Sequence, residues 1–388
     1  MSALPLDILD TIARNLQHNT AALKAACLVA RQWQLVFQRV LFSHVQIKDE
    51  ISSNNFLAAI QDQSSVASLI RSLELQFTAE PTDTLFVKLP LLQSLSICAR
   101  RTLSPKFCTA LRPALRSQHL TSLTLQDVKW FPLQILNEAV ALEHFSSIGT
   151  SYHAGGDKAL ANDGQSQARL HTLSLSAMGS DKHELIKWLT HPGCILDLRG
   201  VKSLGFRADY GFDSHVFRRL LSRIPSTLEH LNYQAPGQST STTDSIVQSL
   251  LNAFNLTRFT DLRSLTIYTY LNTVPGFSKI DLLPWCVAFV STLSTPSKLE
   301  SLRIRCSWTF SRSTSDPSSS NSRLQRWDDF DDLLSSTAFS KLGQVTLYLA
   351  FAGGSTSLDR SKNFISRRLP RLVRQGKLRV VASQDLGY

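Results

Sequence analysis

The densest group of chemically capable side chains is an acidic run at residues 327–334. Its carboxylates are Asp328, Asp329, Asp331 and Asp332. Carboxylate oxygens bind hard divalent cations, so this run is a candidate metal site. The sequence favours another interpretation, in which the carboxylates lie in the first turn of a helix and offset the dipole there. The buried face of that helix would then consist of Phe330, Leu333 and Leu334.

The chain lacks the sequence motifs of the common enzyme chemistries. It contains no GxSxG nucleophile motif, no GxxxxGKS or GxxxxGKT phosphate loop, no GxGxxG and no HExxH. None of the six cysteines forms a CxxC pair, and the ten histidines have no metal-ligand spacing with cysteine. We therefore expect no enzyme activity, no catalytic residues, no metal and no cofactor, with the cysteines present as reduced thiols.

Charge and hydropathy limit the compartment and the class of partner. The formal net charge is +11, and eight basic residues lie from Asp359 to Arg379. A basic chain favours an anionic partner, either nucleic acid or an acidic protein surface, although a solvated terminal helix explains this cluster equally well. No run of about 18 apolar residues and no secretory signal is found, so we expect a cytoplasmic or nuclear protein without a membrane partner.

The sequence predicts three short helices in residues 1 to about 41. Pro5 suits a first helical turn, and Asp7 favours the positive end of the helix dipole. Thr20 is the expected N-cap of the second helix. Apolar residues recur at helical spacing in this region and form a stripe. A unit of this size cannot bury the whole stripe, so part of it must contact the rest of the chain or a partner.

The ordered residues of this region resemble an F-box. The matching pieces are Leu4-Pro5 with Asp7, an Ile/Leu stripe, the small-residue segment 23–29 and Trp33. Asp7 is a departure, because the family more often has Glu there. The resemblance covers residues 1–48. This segment is similar to fungal F-box proteins in which a repeat domain follows the F-box directly.

The resemblance implies binding to a Skp-type adaptor of cullin–RING ubiquitin ligases. The implied adaptor contacts are Leu4, Pro5, Ile8, Leu9, Val29 and Trp33. Apolar and aromatic anchors of this kind often dominate interface energies. The alternative is that Trp33 and the apolar stripe form only the internal core of a helical cap.

Residues 49–388 are built from a degenerate repeat of the form apolar-x-x-apolar-x-apolar. The alternation within each copy is the two-residue period of a β-strand, and helical spacing lies between copies, as at 107–115 and 216–224. A weaker copy at Leu142/Phe145 has Ser147 in its last apolar position, and Leu378–Val381 is expected to close the array. The other copies are Phe42/Val45/Ile47, Ile70/Leu73/Leu75, Leu92/Leu95/Ile97, Leu120/Leu123/Leu125, Leu170/Leu173/Leu175, Val201/Leu204/Phe206, Leu228/Leu231/Tyr233, Leu262/Leu265/Ile267, Leu299/Leu302/Ile304 and Leu342/Val345/Leu347.

This pattern resembles an irregular leucine-rich-repeat solenoid of β-α units. The copies are 22 to 43 residues apart, and the shorter spacing matches that family. No asparagine ladder follows the strands, so we expect irregular bends, long helical insertions and Ser-rich loops near 234–243 and 311–322. The predicted fold class is α/β, a short helical F-box followed by the solenoid, with a non-solenoid α/β fold as the alternative.

In a leucine-rich-repeat fold, the residues between the apolar strand positions line a concave surface. The later copies place Arg207, Tyr268, Arg303, Arg305 and Tyr348 there. Arg and Tyr often supply interface anchors, and the planar guanidinium bonds carboxylate or phosphate with two hydrogen bonds. We therefore expect these residues to bind an acidic or phosphorylated protein substrate; the alternative is that the arginines are only solvated.

The sequence as a whole predicts a non-catalytic substrate-recognition adaptor of a Skp–cullin–F-box ubiquitin ligase. Two alternatives stay open. One is a protein-interaction scaffold that works without a ligase, and the weaker one is a basic nucleic-acid-associated protein.

Overall fold

A computed structural model describes the fold over most of the chain. The described residues are 4–62, 64–76, 85–153, 168–176, 182–207, 214–234, 256–272, 283–293, 295–309, 321–351, 362–363 and 365–383. They combine α-helices with parallel β-strands, which confirms the α/β class. Tertiary contacts divide the chain into two compact units. The first contains Met1–Leu170 and His191–Asp197, and the second contains His171–Thr190 and Leu198–Tyr388.

Three helices begin the first unit, as the sequence predicts: α1 (Leu6–Asn15), α2 (Thr20–Cys27) and α3 (Arg31–Ser43). The N-cap of α2 is Asn19 rather than the predicted Thr20, because the Asn19 side chain accepts a hydrogen bond from the Ala22 backbone at 3.0 Å. The helices share a small apolar core. Its buried members are Leu9, Ala13, Leu23, Ala26 and Phe37.

Strands and helices then alternate along the chain. Their order is β1 (His44–Ile47), α4 (Glu50–Asp62), α5 (Ser64–Ala67), β2 (Ser72–Gln76), β3 (Ser94–Cys98), α6 (Pro105–Leu115), β4 (Ser122–Gln126), β5 (Phe131–Pro132), β6 (His144–Ile148), β7 (Tyr152–His153), β8 (Ala168–Arg169), β9 (Thr172–Ser176), α7 (Lys182–Leu189), β10 (Leu196–Asp197), β11 (Ser203–Arg207), α8 (Ser214–Arg223), β12 (His230–Gln234), β13 (Ser264–Asn272), α9 (Leu283–Ser291), β14 (Ser301–Thr309), α10 (Asn321–Ser335), β15 (Gln344–Phe351), α11 (Pro370–Arg374) and β16 (Leu378–Ser383).

The first unit contains a parallel sheet in the order β1-β2-β3-β4-β6. Its strands pair without any shift, so Leu73 pairs with Leu95, Leu95 with Leu123 and Leu123 with Phe145. Equivalent apolar residues therefore stack from strand to strand, and each of these four is at most 1% exposed. Two short parallel pairs, β5 with β7 and β8 with β10, accompany the sheet.

The second unit contains a parallel sheet in the order β9-β11-β12-β13-β14-β15-β16. The stacking continues there, with Leu265, Leu302 and Val345 in one buried row. β13 and β14 have nine residues and β15 has eight, against five for β9, β11 and β12. These three long strands carry four of the five predicted arginine and tyrosine residues of the later copies, whereas Arg207 lies on β11.

Every predicted copy of the repeat contains a strand, so the strand predictions are confirmed. The weak copy is explained by a local hydrogen bond: Ser147, 0% exposed, receives one from the buried Tyr152 hydroxyl. Burial raises the pKa of Tyr152, so the hydroxyl stays neutral and can donate. The predicted helical segments 107–115 and 216–224 correspond to α6 and α8.

Three sequence-based boundaries can be compared with the structure. β1 lies inside the predicted domain 1–48 but pairs with β2, so the three helices and the first strands belong to one compact unit. Most of each predicted loop, 234–243 and 311–322, lies outside the described residues. The end of the second loop is different from the prediction, because α10 already begins at Asn321.

Candidate functional site

The acidic run at 327–334 is not at the start of a helix, so the predicted first-turn position is wrong. α10 begins at Asn321, two turns before Asp328, and has no acidic residue in its first turn. The predicted buried face is largely confirmed, since Phe330 and Leu334 are 0% exposed and Leu333 is half-buried. The carboxylates therefore do not serve the dipole of their own helix.

Asp331 instead caps a different helix. Its carboxylate accepts backbone hydrogen bonds from Arg371 at 2.8 Å and Leu372 at 3.0 Å, at the N-terminus of α11, and Asp331 is only 2% exposed. Asp332 forms an exposed ion pair with the Arg371 guanidinium at 2.7 Å. The run thus ties α10 to α11, which is a structural role that the sequence does not reveal.

We expect Asp331→Ala to increase local unfolding of α11. The substitution leaves two backbone N–H groups at the helix start without an acceptor, at a cost of about 2–3 kcal/mol. Backbone hydrogen exchange at 371–374 should therefore become roughly 30- to 150-fold faster. Asp332→Ala is the matched control, because an exposed ion pair contributes about 0–1 kcal/mol. Equal exchange in the two variants would contradict the capping role.

The described residues hold no group of three or more His, Cys, Asp or Glu side chains that could bind a metal ion. Burial raises the pKa of the Cys194 thiol to about 12, so it carries almost no thiolate at neutral pH. No helix in the described ranges is both long enough and apolar enough to cross a membrane.

The three N-terminal helices expose an unusual amount of apolar surface. Six of the eleven exposed large apolar side chains in the described residues lie within residues 4–43, so the exposure is concentrated in a small part of the chain. These six are Leu4 (41%), Leu6 (64%), Ile8 (44%), Leu28 (89%), Val29 (64%) and Leu35 (72%). Concentrated apolar exposure is typical of a surface that binds another protein.

The six positions assigned by the F-box resemblance differ in their exposure to solvent. Leu4, Pro5, Ile8 and Val29 lie on the surface of the helical cluster. Leu9 is 0% exposed within the core, so it supports the surface from inside and does not itself contact solvent. Trp33 is half-buried and stacks on Phe37, with ring centroids 5.6 Å apart. Trp33 therefore belongs partly to the core and partly to the surface.

A second surface lies on one face of β13–β16, which we call the arginine face. Its central residues are Tyr268, Arg303, Arg305, Tyr348 and Arg379. Strand register brings them together, because Arg305 pairs with Tyr268 on one side and with Tyr348 on the other. Arg303 pairs with Thr346, which in turn pairs with Arg379.

Arg305 is held between two aromatic rings. Its guanidinium carbon lies 5.0 Å from the centroid of Tyr268 and 5.1 Å from that of Tyr348. Each cation–π contact contributes about 0.5–2 kcal/mol, depending on exposure. Arg305 Nε is shielded from solvent and has no hydrogen-bond partner, while the residue as a whole stays partly exposed. The terminal edge of the guanidinium is therefore the part available to a ligand.

Arg303 and Arg379 extend the positive surface beside this group. Both are exposed, and they lie two strands apart on the same face, about 10 Å between backbones. Thr346 lies between them and is only 2% exposed. Arg207 is separated from Tyr268 by Gln234 on β12, so the structure places it at the side of the arginine face and not within it.

Among the side chains of this face that the structure describes, none carries a negative charge. These side chains are Ser264, Thr266, Tyr268, Ser301, Arg303, Arg305, Gln344, Thr346, Tyr348, Arg379 and Val381. The strand face of the first unit differs, because Glu74 lies there and its carboxylate accepts hydrogen bonds from Gln76 and Gln46. These bonds, first that from Gln76, lower the pKa of Glu74, so it is ionised at neutral pH.

Sequence reasoning missed two groups of surface residues. Arg379 was placed in the closing segment Leu378–Val381, which lies in β16, but it was counted only in the basic cluster and not among the substrate-binding residues; its register with Thr346 is what places it beside Arg303. Leu6, Leu28 and Leu35 are exposed apolar residues whose exposure no sequence pattern indicates.

No protein-family model matches this chain, and no curated protein is significantly similar to it. The functional assignment therefore depends on the residue pattern and on the geometry of these two surfaces.

Proposed function

We propose that this chain is a non-catalytic substrate-recognition adaptor of a Skp–cullin–F-box ubiquitin ligase. Residues 4–43 act as the F-box and bind a Skp-type adaptor, and the arginine face binds a protein substrate. The β-α units form a leucine-rich-repeat-like array that carries this face. Catalysis belongs to partner subunits, and the chain raises the effective concentration of substrate near them.

One observation carries this proposal. The helical cluster has a small buried core and leaves other large apolar side chains exposed. Three of these are Leu4, Ile8 and Val29, which are 41%, 44% and 64% exposed. These are positions that the F-box resemblance assigns to adaptor binding. An exposed aliphatic side chain on a small helical unit loses its contact with water when a partner covers it, at about 25 cal/mol per Å². The same helices thus supply a core of their own and an apolar surface for a partner.

The substrate half of the proposal is supported by the arginine face. The face combines the two residue types that most often anchor interfaces, holds one guanidinium between rings, and contains no opposing carboxylate. An acidic or phosphorylated protein surface has the complementary charge.

Co-expression of the full chain with a fungal Skp-type adaptor tests this function. We expect the two proteins to co-purify at a constant ratio through ion-exchange and size-exclusion steps, even at high salt, because the contact is apolar. A folded, monodisperse chain that leaves the adaptor behind would contradict the proposal and favour a scaffold that works without a ligase.

Nucleic-acid binding is the second candidate, and the arginine face is the observation that favours it. Binding to phosphates through several arginines would weaken steeply with rising salt, with a slope of log K against log salt close to the number of phosphate contacts. We expect a shallow slope and weak binding for both single- and double-stranded DNA. Tight binding with a steep slope would instead support this second function.

A further inference from the structure

We propose that the arginine face binds an extended peptide whose anionic side chains lie two residues apart. Calling this peptide part of a substrate rests on the proposed function, whereas the binding itself does not. The anionic groups are carboxylates or phosphates, which share the same chemistry toward a guanidinium.

The spacing of the two central arginines sets the spacing of the anions. Arg303 and Arg305 lie at alternate positions of β14 and thus on the same face of the sheet. Alternate residues of a strand are about 6.6–6.8 Å apart. A peptide in extended conformation repeats at the same distance, so two of its alternate side chains can each meet one guanidinium. Adjacent side chains of such a peptide point to opposite sides, and only one of them can reach the face.

Arg305 is positioned before any ligand binds. The rings of Tyr268 and Tyr348, on the two neighbouring strands, both contact its guanidinium, with centroids 5.0 and 5.1 Å from the guanidinium carbon. The side chain therefore loses less rotational freedom when a ligand arrives, which favours affinity. Because Nε is shielded, an anion reaches this guanidinium through its terminal N–H groups.

The other charged side chains of the arginine face are also positive and attract an anionic ligand. Arg303 is exposed and forms no ion pair with any described residue, and Arg379 lies two strands away on the same side. With no carboxylate among the outward positions of β13–β16, the face offers positive charge and no internal partner for it. A ligand with two negative charges is thus the chemical complement of this surface.

The tyrosines favour a peptide over a single-stranded nucleic acid. Binding of bases without sequence preference needs open aromatic rings on which the bases stack. Tyr268 and Tyr348 each direct one ring face to Arg305 and are half-buried. The rings therefore orient the guanidinium and are poorly available as stacking platforms.

Fluorescence anisotropy with two isomeric peptides tests the spacing. Each labelled eight-residue peptide contains two glutamates among neutral residues, at positions 4 and 6 in one and at positions 4 and 5 in the other. The full chain, without any adaptor, should bind the alternate isomer at least about 10-fold more tightly, because only this isomer pairs both charges. A version with two phosphoserines at positions 4 and 6 should bind more tightly still. Equal affinity for the two glutamate isomers, or tighter binding of an oligothymidine of equal charge, would overturn the proposal.

Tyrosine variants test the positioning of Arg305. Tyr268→Leu/Tyr348→Leu should reduce the preference for the alternate isomer to about twofold or less, while Tyr268→Phe/Tyr348→Phe should retain it, since phenylalanine keeps the cation–π contacts. A preference that survives the leucine pair would contradict the role of the rings. Adaptor co-purification should be unchanged in both tyrosine double variants, so failure of this inference and failure of the proposed function can be told apart.

Discussion

Replacing Ile8 and Val29 together by glutamate is expected to lower the affinity for a Skp-type adaptor by at least about 100-fold. Both side chains are exposed, at 44% and 64%, so the fold of the helical cluster should be unaffected. In the complex, the variant loses two apolar contacts and must bury two carboxylates without partners. These effects together cost at least about 3 kcal/mol, which corresponds to the stated loss. Titration of labelled adaptor into the purified variant measures the change.

The matched control for this variant is Ile51→Glu/Val87→Glu. These residues belong to the same compact unit, are exposed at 74% and 65%, and receive the same change of polarity and charge. Adaptor affinity should stay within about twofold of the unmodified chain. A loss of affinity as large as that of the Ile8 and Val29 pair would show that charge alone weakens binding. Trp33→Ala is less informative, because removing its stack on Phe37 would also destabilise the core.

Reversing the charge of Arg303 and Arg305 together is expected to abolish binding of the alternate-glutamate peptide. Arg303→Glu/Arg305→Glu removes two charge-assisted hydrogen-bonding groups, each contributing about 1.5–3 kcal/mol, and replaces them with repulsion. The predicted loss is therefore at least about 100-fold in affinity, measured by anisotropy with the same labelled peptide. Adaptor co-purification should be retained, because the proposed adaptor contacts lie in residues 4–43.

A second charge reversal in the same compact unit distinguishes an effect of the arginine face from an effect of the net charge. Arg219→Glu/Arg223→Glu changes the net charge by the same amount at two exposed positions of α8. We expect it to weaken peptide binding by no more than about threefold at physiological salt, because distant exposed charges are largely screened. If this variant lost binding to the same extent, the arginine face would not be the binding site.

The strands were predictable because one local pattern specifies each of them. Pairs such as Leu173/Leu175 and Leu265/Ile267 alternate with polar residues, and this alternation alone identifies a half-buried strand. The three N-terminal helices were predictable for the same reason, since their apolar residues recur at helical spacing. The α/β class followed from strands and helices that alternate along the chain.

The contacts of the arginine face were not predictable, because they depend on register between distant segments. The sequence places Tyr268, Arg305 and Tyr348 at outward strand positions, but their contact requires three strands to pair without a shift across separations of 37 and 43 residues. The role of Asp331 has a similar origin, since it caps a helix 40 residues further along. Local propensity carries no information about such partners.

The start of α10 was missed for a different reason. Residues 321–326 are polar except for Leu324 and continue a Ser-rich segment, so they have the composition of a loop. Their helical state shifts Asp331 from the predicted first turn to the C-terminal half of α10, where it reaches α11. The acidic run therefore caps α11 instead of offsetting the dipole of its own helix.

Isothermal titration of a purified Skp-type adaptor into the full, unmodified chain tests the proposed adaptor function. We expect saturable binding of one adaptor per chain, with a negative heat-capacity change that reports burial of apolar surface. The Ile8→Glu/Val29→Glu variant should show no heat of binding under the same conditions. A monodisperse chain with intact secondary structure that produces no binding heat at any temperature, and no complex by size-exclusion chromatography, would contradict the adaptor function.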